Sequence, residues 1–208
     1  MPRTRSSPLI LVALAAVLVL PWPGRADDAE GFKPLFNGKG LAGLKVQLPK
    51  NADPAGVFTV ENGVLVVSGK PNGYVYTDKA YRNYVLRFDW QYPDKAGNSG
   101  TLVHIQEPHK VWPRCVEVQG QQQNHGHTFA IGGARGEYKT DKEAQKKAIR
   151  GVGQWNSTEI ISQDGELTTK VNGVQVATGK GNLTEGPIGW QSEGTRVLFR
   201  NLRIKELK

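Results

Sequence analysis

Three side chains capable of acid–base chemistry fall in strand-like runs near the middle of the chain: Asp89, His104 and Glu117. A carboxylate beside an imidazole can serve as general base and general acid, because each shifts the pKa of the other toward the working pH. The same three side chains can also hold a divalent cation. These residue types therefore predict proton transfer or metal binding, provided that the fold brings them together.

The alternation of apolar and polar residues indicates which way these side chains point. In residues 84–91 the even positions hold only aromatic residues and a leucine, whereas the odd positions hold Arg87, Asp89 and Gln91 beside Val85, so Asp89 should face away from the core. The same alternation should turn His104 and Glu117 away from the core on their own strands. Since neighbouring antiparallel strands bring side chains of one face within reach, we predict a single polar sheet face that carries all three.

Each candidate residue also has a purely structural interpretation. Asp89 can be a solvated surface charge, and His104 can be a hydrogen-bonded histidine of the core. The loop 97–100, with the sequence GNSG, can be a plain turn or can offer hydrogen bonds to hydroxyl groups. Trp112 and Trp190 can stack on a sugar ring, although core packing is the commoner role of tryptophan. The residues alone leave these alternatives open.

Short strands joined by tight turns are predicted for most of the chain. Asn-Gly and Asp-Gly dipeptides favour hairpins, because both central residues need positive φ. They occur at 37–38, 62–63, 72–73, 164–165 and 172–173. Ten or more short strands with this spacing are typical of a β-sandwich or jelly roll.

One short surface helix is predicted over residues 141–150. Thr140 and Glu143 form a capping box at its start, and Gly151 supplies a stop at its end. Its apolar content is too low to organise a core. The expected fold class is therefore all-β with one surface helix.

The first 26 residues have the features of a secretory signal peptide. Arg3 and Arg5 precede the apolar run 9–20, and small residues stand just before Asp27. The apolar run is shorter than the roughly 20 residues that a membrane span needs. We expect residues 1–26 to be a signal peptide, residues 27–208 to form a single domain, and the mature chain to have no stable membrane insertion.

The charge distribution does not favour nucleic acid as a partner. The chain has 27 basic and 19 acidic residues, a net charge of +8, and residues 1–26 hold three of the arginines and no acid, which leaves +5 on the rest. The densest basic cluster, residues 139–150, also contains Asp141 and Glu143. Phosphate binding favours a stripe of one sign, so no nucleic-acid partner is predicted.

An ordered set of short motifs resembles the 3-keto-disaccharide hydrolase family over essentially all of the chain after the leader. The motifs are LFNGKGL at 35–41, YVLRFDWQ at 84–91 followed by GNSG at 97–100, EVQ at 117–119, QWN at 154–156, VNG at 171–173 and FRNLRI at 199–204. Each motif alone is weak, but their order makes the set specific.

The resemblance implies a concanavalin-like jelly roll of two packed antiparallel sheets that is secreted or periplasmic. It also implies action on carbohydrates, namely glycosides whose sugar carries a ketone at carbon 3, by hydrolysis or by elimination and hydration. Such a ketone acidifies the hydrogen on carbon 2, so a modest base can remove it while the glycosidic group leaves carbon 1. The alternative function is a non-catalytic carbohydrate-binding module on the same fold.

The resemblance further implies roles for particular residues. Glu117 is the first choice for general base or metal ligand, with Asp89 and His104 as its partner acid, base or ligand. Arg87 would stabilise an oxyanion. The other substrate-binding candidates are Asn98, Gln119, Trp190 and Gln191. Whether a divalent metal takes part is left open, and no other cofactor is predicted.

Overall fold

The structure, a computed structural model, describes residues 30–208, so the predicted signal peptide at 1–26 lies outside the described residues. These residues form fifteen strands and one helix. Their bounds are β1 Lys33–Pro34, β2 Leu44–Gln47, β3 Phe58–Glu61, β4 Val64–Val67, β5 Gly73–Thr77, β6 Tyr84–Gln91, β7 Gly100–Gln106, β8 Arg114–Gln119, β9 Thr128–Ile131, β10 Gly136–Thr140, α1 Lys142–Ala148, β11 Asn156–Gln163, β12 Glu166–Val171, β13 Val174–Gly181, β14 Gly189–Ser192 and β15 Val197–Glu206.

The strands pair in two antiparallel sheets. The larger sheet has the order β10-β13-β12-β11-β6-β15-β4-β3, with β1 beside β15, and the smaller has the order β2-β5-β14-β7-β8-β9. Consecutive strands alternate between the sheets at several points, as in a jelly roll. The predicted all-β, concanavalin-like sandwich with one short surface helix is therefore confirmed.

The core lies between the two sheets and follows the alternation seen in the sequence. On β6 the even-numbered residues from 84 to 90 are buried, and the odd-numbered residues are partly exposed. Phe88 meets Trp190 of the smaller sheet edge to face, with ring centroids 6.1 Å apart. Trp190 is fully buried in this contact. Its predicted role in stacking on a sugar is therefore wrong, because the ring packs between the sheets.

Three of the five predicted hairpin turns join consecutive strands. Asn62, Asp164 and Asn172 adopt φ values of 51°, 48° and 48°, each followed by a glycine of positive φ. The dipeptide at 72–73 instead lies where the chain passes from the larger to the smaller sheet, and β5 begins at Gly73. The hairpin predicted there is wrong, because β4 and β5 belong to different sheets.

The predicted helix is present but is shorter than expected. Its N-cap is Asp141, whose carboxylate accepts a hydrogen bond from the Ala144 amide. Thr140 ends β10 and its hydroxyl bonds to His127, so the predicted capping box does not form. Among the described residues no helix has the length and apolar character of a membrane span.

Candidate functional site

The surface of the smaller sheet that points away from the core carries the candidate site, and we call it the site face. Glu117 on β8 pairs with Leu102 on β7 and with Phe129 on β9. Paired residues of antiparallel strands project to the same side of a sheet. Glu117 therefore rises from the site face between two apolar side chains, while its neighbours Val116 and Val118 point into the core.

The Glu117 carboxyl is strongly perturbed. The residue is only 5% exposed. Burial and, to a smaller extent, the nearby Glu193 carboxylate raise its pKa to about 7, although the close Gln191 amide offsets part of the rise. At neutral pH the Glu117 carboxyl is thus present in both protonated and ionised forms, which suits a general base or acid.

Gln191 lies over Gly100 together with Glu117. The Gln191 side chain is fully buried, and neither of its amide atoms reaches a partner with good hydrogen-bond geometry in residues 30–208. A Cβ on Gly100 would collide with the Gln191 amide oxygen and lie 2.7 Å from a Glu117 carboxylate oxygen. A side chain at the last position of the GNSG motif would therefore displace the ends of the Glu117 and Gln191 side chains, which occupy the space above Gly100.

A second carboxylate, Glu193, stands beside this pair. It forms an isolated β-bridge with Asn98, and burial raises its pKa while a hydrogen bond from the Asn98 side chain lowers it. Ser99 of the same loop donates a hydrogen bond of 2.8 Å to the Gln191 carbonyl. Glu193 is missing from the sequence prediction, although its position two residues after Gln191 is the signal that could have placed it on the same face.

Gln119 completes the set at the rim of the site face. It pairs with Gly100, and its side-chain oxygen accepts a hydrogen bond of 2.9 Å from the backbone amide of Gln121. Of the eight side chains predicted to form the site, the structure thus brings four together: Asn98, Glu117, Gln119 and Gln191.

The segment 107–113 closes one end of the site face. His109 stacks on Tyr76 with ring centroids 4.6 Å apart. Its Nδ1 lies 3.0 Å from the Tyr74 hydroxyl, and its Nε2 lies 2.9 Å from Glu107. Burial raises the pKa of Tyr74, so this hydroxyl stays protonated. Cys115, a free and buried thiol, packs in the same apolar cluster as Tyr74.

His104 does not belong to the site. A register shift between Val103 and Gln106 interrupts β7, and His104 takes φ 56° within it. Its Nε2 lies 2.9 Å from the Ser162 hydroxyl of the opposite sheet. Burial lowers its pKa to about 4, and the Leu183 carbonyl offsets this only in part. The predicted placement on the polar face is wrong, because the irregularity turns the ring into the space between the sheets.

Asp89 and Arg87 lie on the outer face of the larger sheet, across the sandwich from Glu117. Asp89 accepts hydrogen bonds from Arg200 and Asn201, at 3.1 and 2.7 Å. Arg87 forms ion pairs with Glu159 and Glu30, at 2.7 and 2.8 Å. The predicted grouping of these two residues with Glu117 is wrong, because β6 and β8 belong to different sheets. Side chains that point away from the core on these two strands lie on opposite faces of the sandwich.

The residues present do not form a metal site of the kind the sequence suggested. In the part of the chain that the structure describes, no three His, Cys, Asp or Glu side chains converge to hold a metal ion. The two carboxylates of the site face lack a third such ligand.

The raised pKa of Glu117 predicts a pH-dependent stability. Its pKa is about 7 when folded against an ordinary value of 4.5, so the folded protein binds more protons between these values and loses stability as pH rises. The loss is at most about 3 kcal/mol at pH 8. Glu117→Gln should therefore stabilise the protein at pH 8 and change little at pH 4, as measured by urea unfolding.

The matched control is Glu159→Gln on the outer face of the larger sheet. Its expected change in stability at pH 8 has the opposite sign to that of Glu117→Gln. Burial alone would raise the pKa of Glu159, but Lys170 and Arg87 lower it overall. Its ionised form therefore stabilises the fold, and this variant should lose stability at pH 8. An equal effect of Glu117→Gln at both pH values would contradict the assigned pKa.

Comparison with known proteins gives consistent results. A family model described as a 3-keto-alpha-glucoside-1,2-lyase-like domain matches residues 31–205. A crystal structure named as a putative glycosyl hydrolase from Parabacteroides distasonis is 26% identical, covers 88% of this chain and 97% of its own, and has a TM-score of 0.67. No curated protein matches the sequence.

Two further solved structures share the fold at lower identity. A second Parabacteroides distasonis protein of the same description is 23% identical, with 85% and 99% of the two chains covered and a TM-score of 0.63. A carbohydrate-binding module from Bacillus subtilis is 11% identical, with 79% and 96% covered and a TM-score of 0.56. Both likenesses concern the fold alone.

Proposed function

We propose, from the premise that the chain belongs to the family of the 3-keto-alpha-glucoside-1,2-lyase-like domain, that it is an enzyme that cleaves the glycosidic bond of 3-keto-glycosides by elimination. The observation that supports this most strongly is the buried Glu117 carboxyl with a pKa of about 7 beside the fully buried Gln191 amide and a second carboxylate. A ketone at carbon 3 makes the neighbouring C2–H acidic enough for such a base.

Proton removal is the first step of the proposed reaction. The ionised Glu117 carboxylate takes the hydrogen from carbon 2, and the electron pair of that C–H bond moves toward the carbon 3 ketone to give an enolate. The buried Gln191 amide is placed to donate a hydrogen bond to the enolate oxygen. A donor that is already desolvated and aimed at the developing charge stabilises it without reorganisation.

Loss of the glycosidic group follows. The enolate returns its electron pair to form the C1–C2 double bond, and the C1–O bond breaks. The leaving oxygen takes a proton, for which the Glu117 carboxyl, protonated in the first step, is the proposed donor. Water can then add across the double bond, placing hydroxyl on carbon 1 and a proton on carbon 2, to complete a net hydrolysis.

Asn98 and Gln119 are proposed to orient substrate hydroxyls. Both lie at the margin of the site face beside Glu117 and Gln191, and the side-chain oxygen of Asn98 has no hydrogen-bond partner in residues 30–208. Amide side chains can both donate to and accept from a hydroxyl. Secretion or a periplasmic location is also part of the proposal, and an N-terminus at Asp27 in the purified native protein would support it.

The pH dependence of cleavage should identify Glu117 as the base. Since a base works in its ionised form, kcat/KM should rise with pH through about 7. In Glu193→Gln the neighbouring charge is lost, so the pKa of Glu117 should fall and the rising limb should move to lower pH. If the rising limb of kcat/KM lies at the same pH in Glu193→Gln as in the unchanged protein, the two carboxylates are not coupled.

The proposal is tested by comparing an oxidised glycoside with its parent. Purified protein should release nitrophenolate from p-nitrophenyl 3-keto-α-glucoside and none from p-nitrophenyl α-glucoside. A non-catalytic binding module, the second candidate, would bind the parent glycoside and release nitrophenolate from neither. If the folded protein releases no nitrophenolate from the keto-glycoside, the proposed enzymatic function is wrong.

A further inference from the structure

Two aromatic rings project from the edge of the site face next to the candidate base. Phe129 pairs directly with Glu117 across β8 and β9. Its ring stacks with the His127 imidazole, with centroids 5.3 Å apart and planes 30° from parallel. We call these two rings the β9 platform.

The β9 platform is open, unlike most aromatic rings of this protein. Phe129 is partly exposed and His127 is exposed, whereas the largest aromatic side chains are fully buried. His127 is fixed by a hydrogen bond of 2.8 Å between its Nδ1 and the Thr140 hydroxyl. Burial and the charge of Lys142 both lower the pKa of His127, so the imidazole is neutral at neutral pH and behaves as an aromatic surface.

The spacing of strands sets the distance from this platform to the chemistry. Cβ atoms of directly paired residues lie about 4.5–5.5 Å apart. A pyranose ring packed on Phe129 therefore has one edge within reach of the Glu117 carboxyl. The fully buried Gln191 amide lies on the other side of Glu117, so a ring held in this place has the base and the donor along the same edge.

We propose that the β9 platform is the subsite that holds the sugar ring to be cleaved, with the C–H face of the pyranose stacked on Phe129 and its reacting edge turned toward Glu117. This inference rests on the proposed function for its substrate class, since an aromatic plane suits the apolar face of a pyranose. It assigns substrate positioning to Phe129 and a supporting role to His127.

The test measures binding apart from turnover, with methyl α-glucoside as the probe because it lacks the ketone and is not cleaved. Phe129→Ala and Phe129→Leu should each weaken its binding at least about tenfold in an NMR titration. Phe129→Tyr keeps the aromatic face and should bind within about twofold of the unchanged protein. Phe129→Leu retains an apolar side chain of similar bulk. Weaker binding by this variant would therefore be due to loss of the aromatic ring and not to altered packing of β9.

Two matched variants make the result specific. Trp155→Ala removes an aromatic ring that packs against Arg200 away from the site face and should leave binding unchanged. Glu117→Gln should keep binding while abolishing cleavage of p-nitrophenyl 3-keto-α-glucoside. Thermal unfolding of each variant is measured to check that the protein remains folded.

The outcomes separate this inference from the proposed function. Normal binding by folded Phe129→Leu, or no binding of methyl α-glucoside by the unchanged protein, would overturn the platform even if the keto-glycoside is cleaved. Weakened binding by both Phe129→Ala and Phe129→Leu, with Phe129→Tyr intact, supports the platform even if no cleavage is found.

Discussion

Glu117→Gln is expected to lower kcat for a 3-keto-α-glucoside by about 10²–10⁴-fold, the usual contribution of a general base. Glutamine has nearly the same shape and can keep contact with Gln191, but it cannot accept the proton from carbon 2. The loss should fall on kcat with little change in KM, because the carboxylate acts in the transition state. Steady-state kinetics on the aryl keto-glycoside measures both constants.

Asp89→Asn is the matched control for this prediction. Asp89 is also a carboxylate on a strand, but it lies on the outer face of the larger sheet and bonds to Arg200 and Asn201. Its replacement should leave kcat/KM within about twofold, since it lies outside the site face. Equal losses of activity in both variants would show that the assignment of the site to the smaller sheet is wrong.

Phe88→Ala is expected to destabilise the protein by about 3–5 kcal/mol, as truncation of a buried aromatic residue does. Phe88 is 1% exposed. Its ring packs against Trp190 of the smaller sheet and Phe199 of the larger sheet, with ring centroids 6.1 Å and 6.0 Å apart. The ring thus packs the two sheets together, and its loss leaves a cavity at their centre.

Urea unfolding measures this loss, with Trp112→Ala as the control. Trp112 is 45% exposed, so its truncation should change stability by no more than about 0.5 kcal/mol. A cost below about 1 kcal/mol for Phe88→Ala would mean that the core face of β6 is misassigned.

The alternation in residues 84–91 predicts the core face correctly, but it cannot say in which sheet a strand lies. Arg87 and Asp89 do point away from the core, as predicted, and so does Glu117. They point in opposite directions because β6 and β8 lie in different sheets. The pairing of distant strands decides this, and no local pattern in the sequence records it.

His104 and Glu193 show two other limits of prediction from sequence. Strict alternation assumes a regular strand, and the irregularity between Val103 and Gln106 reverses the side to which His104 points. Glu193 lies just beyond the end of β14, so the sequence indicates its place on the site face only through its spacing of two residues from Gln191. The position of Glu117 could be predicted because β8 is regular and its flanking valines are both buried.

The burial of Glu117 links stability to function. Burial raises the pKa of its carboxyl toward neutrality, which suits its proposed role as a base and also makes the folded protein less stable at high pH. Gly100 contributes to the same arrangement by leaving room for the carboxyl and the Gln191 amide. Natural active sites commonly carry a stability cost of this kind.

The most direct test of the elimination mechanism is the fate of the hydrogen on carbon 2 when the reaction runs in D₂O. The proposed mechanism predicts that the released 3-keto sugar carries deuterium at carbon 2, or that the unsaturated elimination product accumulates. Free 3-keto-glucose incubated for the same time corrects for spontaneous exchange. A released sugar that retains its original hydrogen at carbon 2 would contradict elimination and would indicate direct hydrolysis at carbon 1.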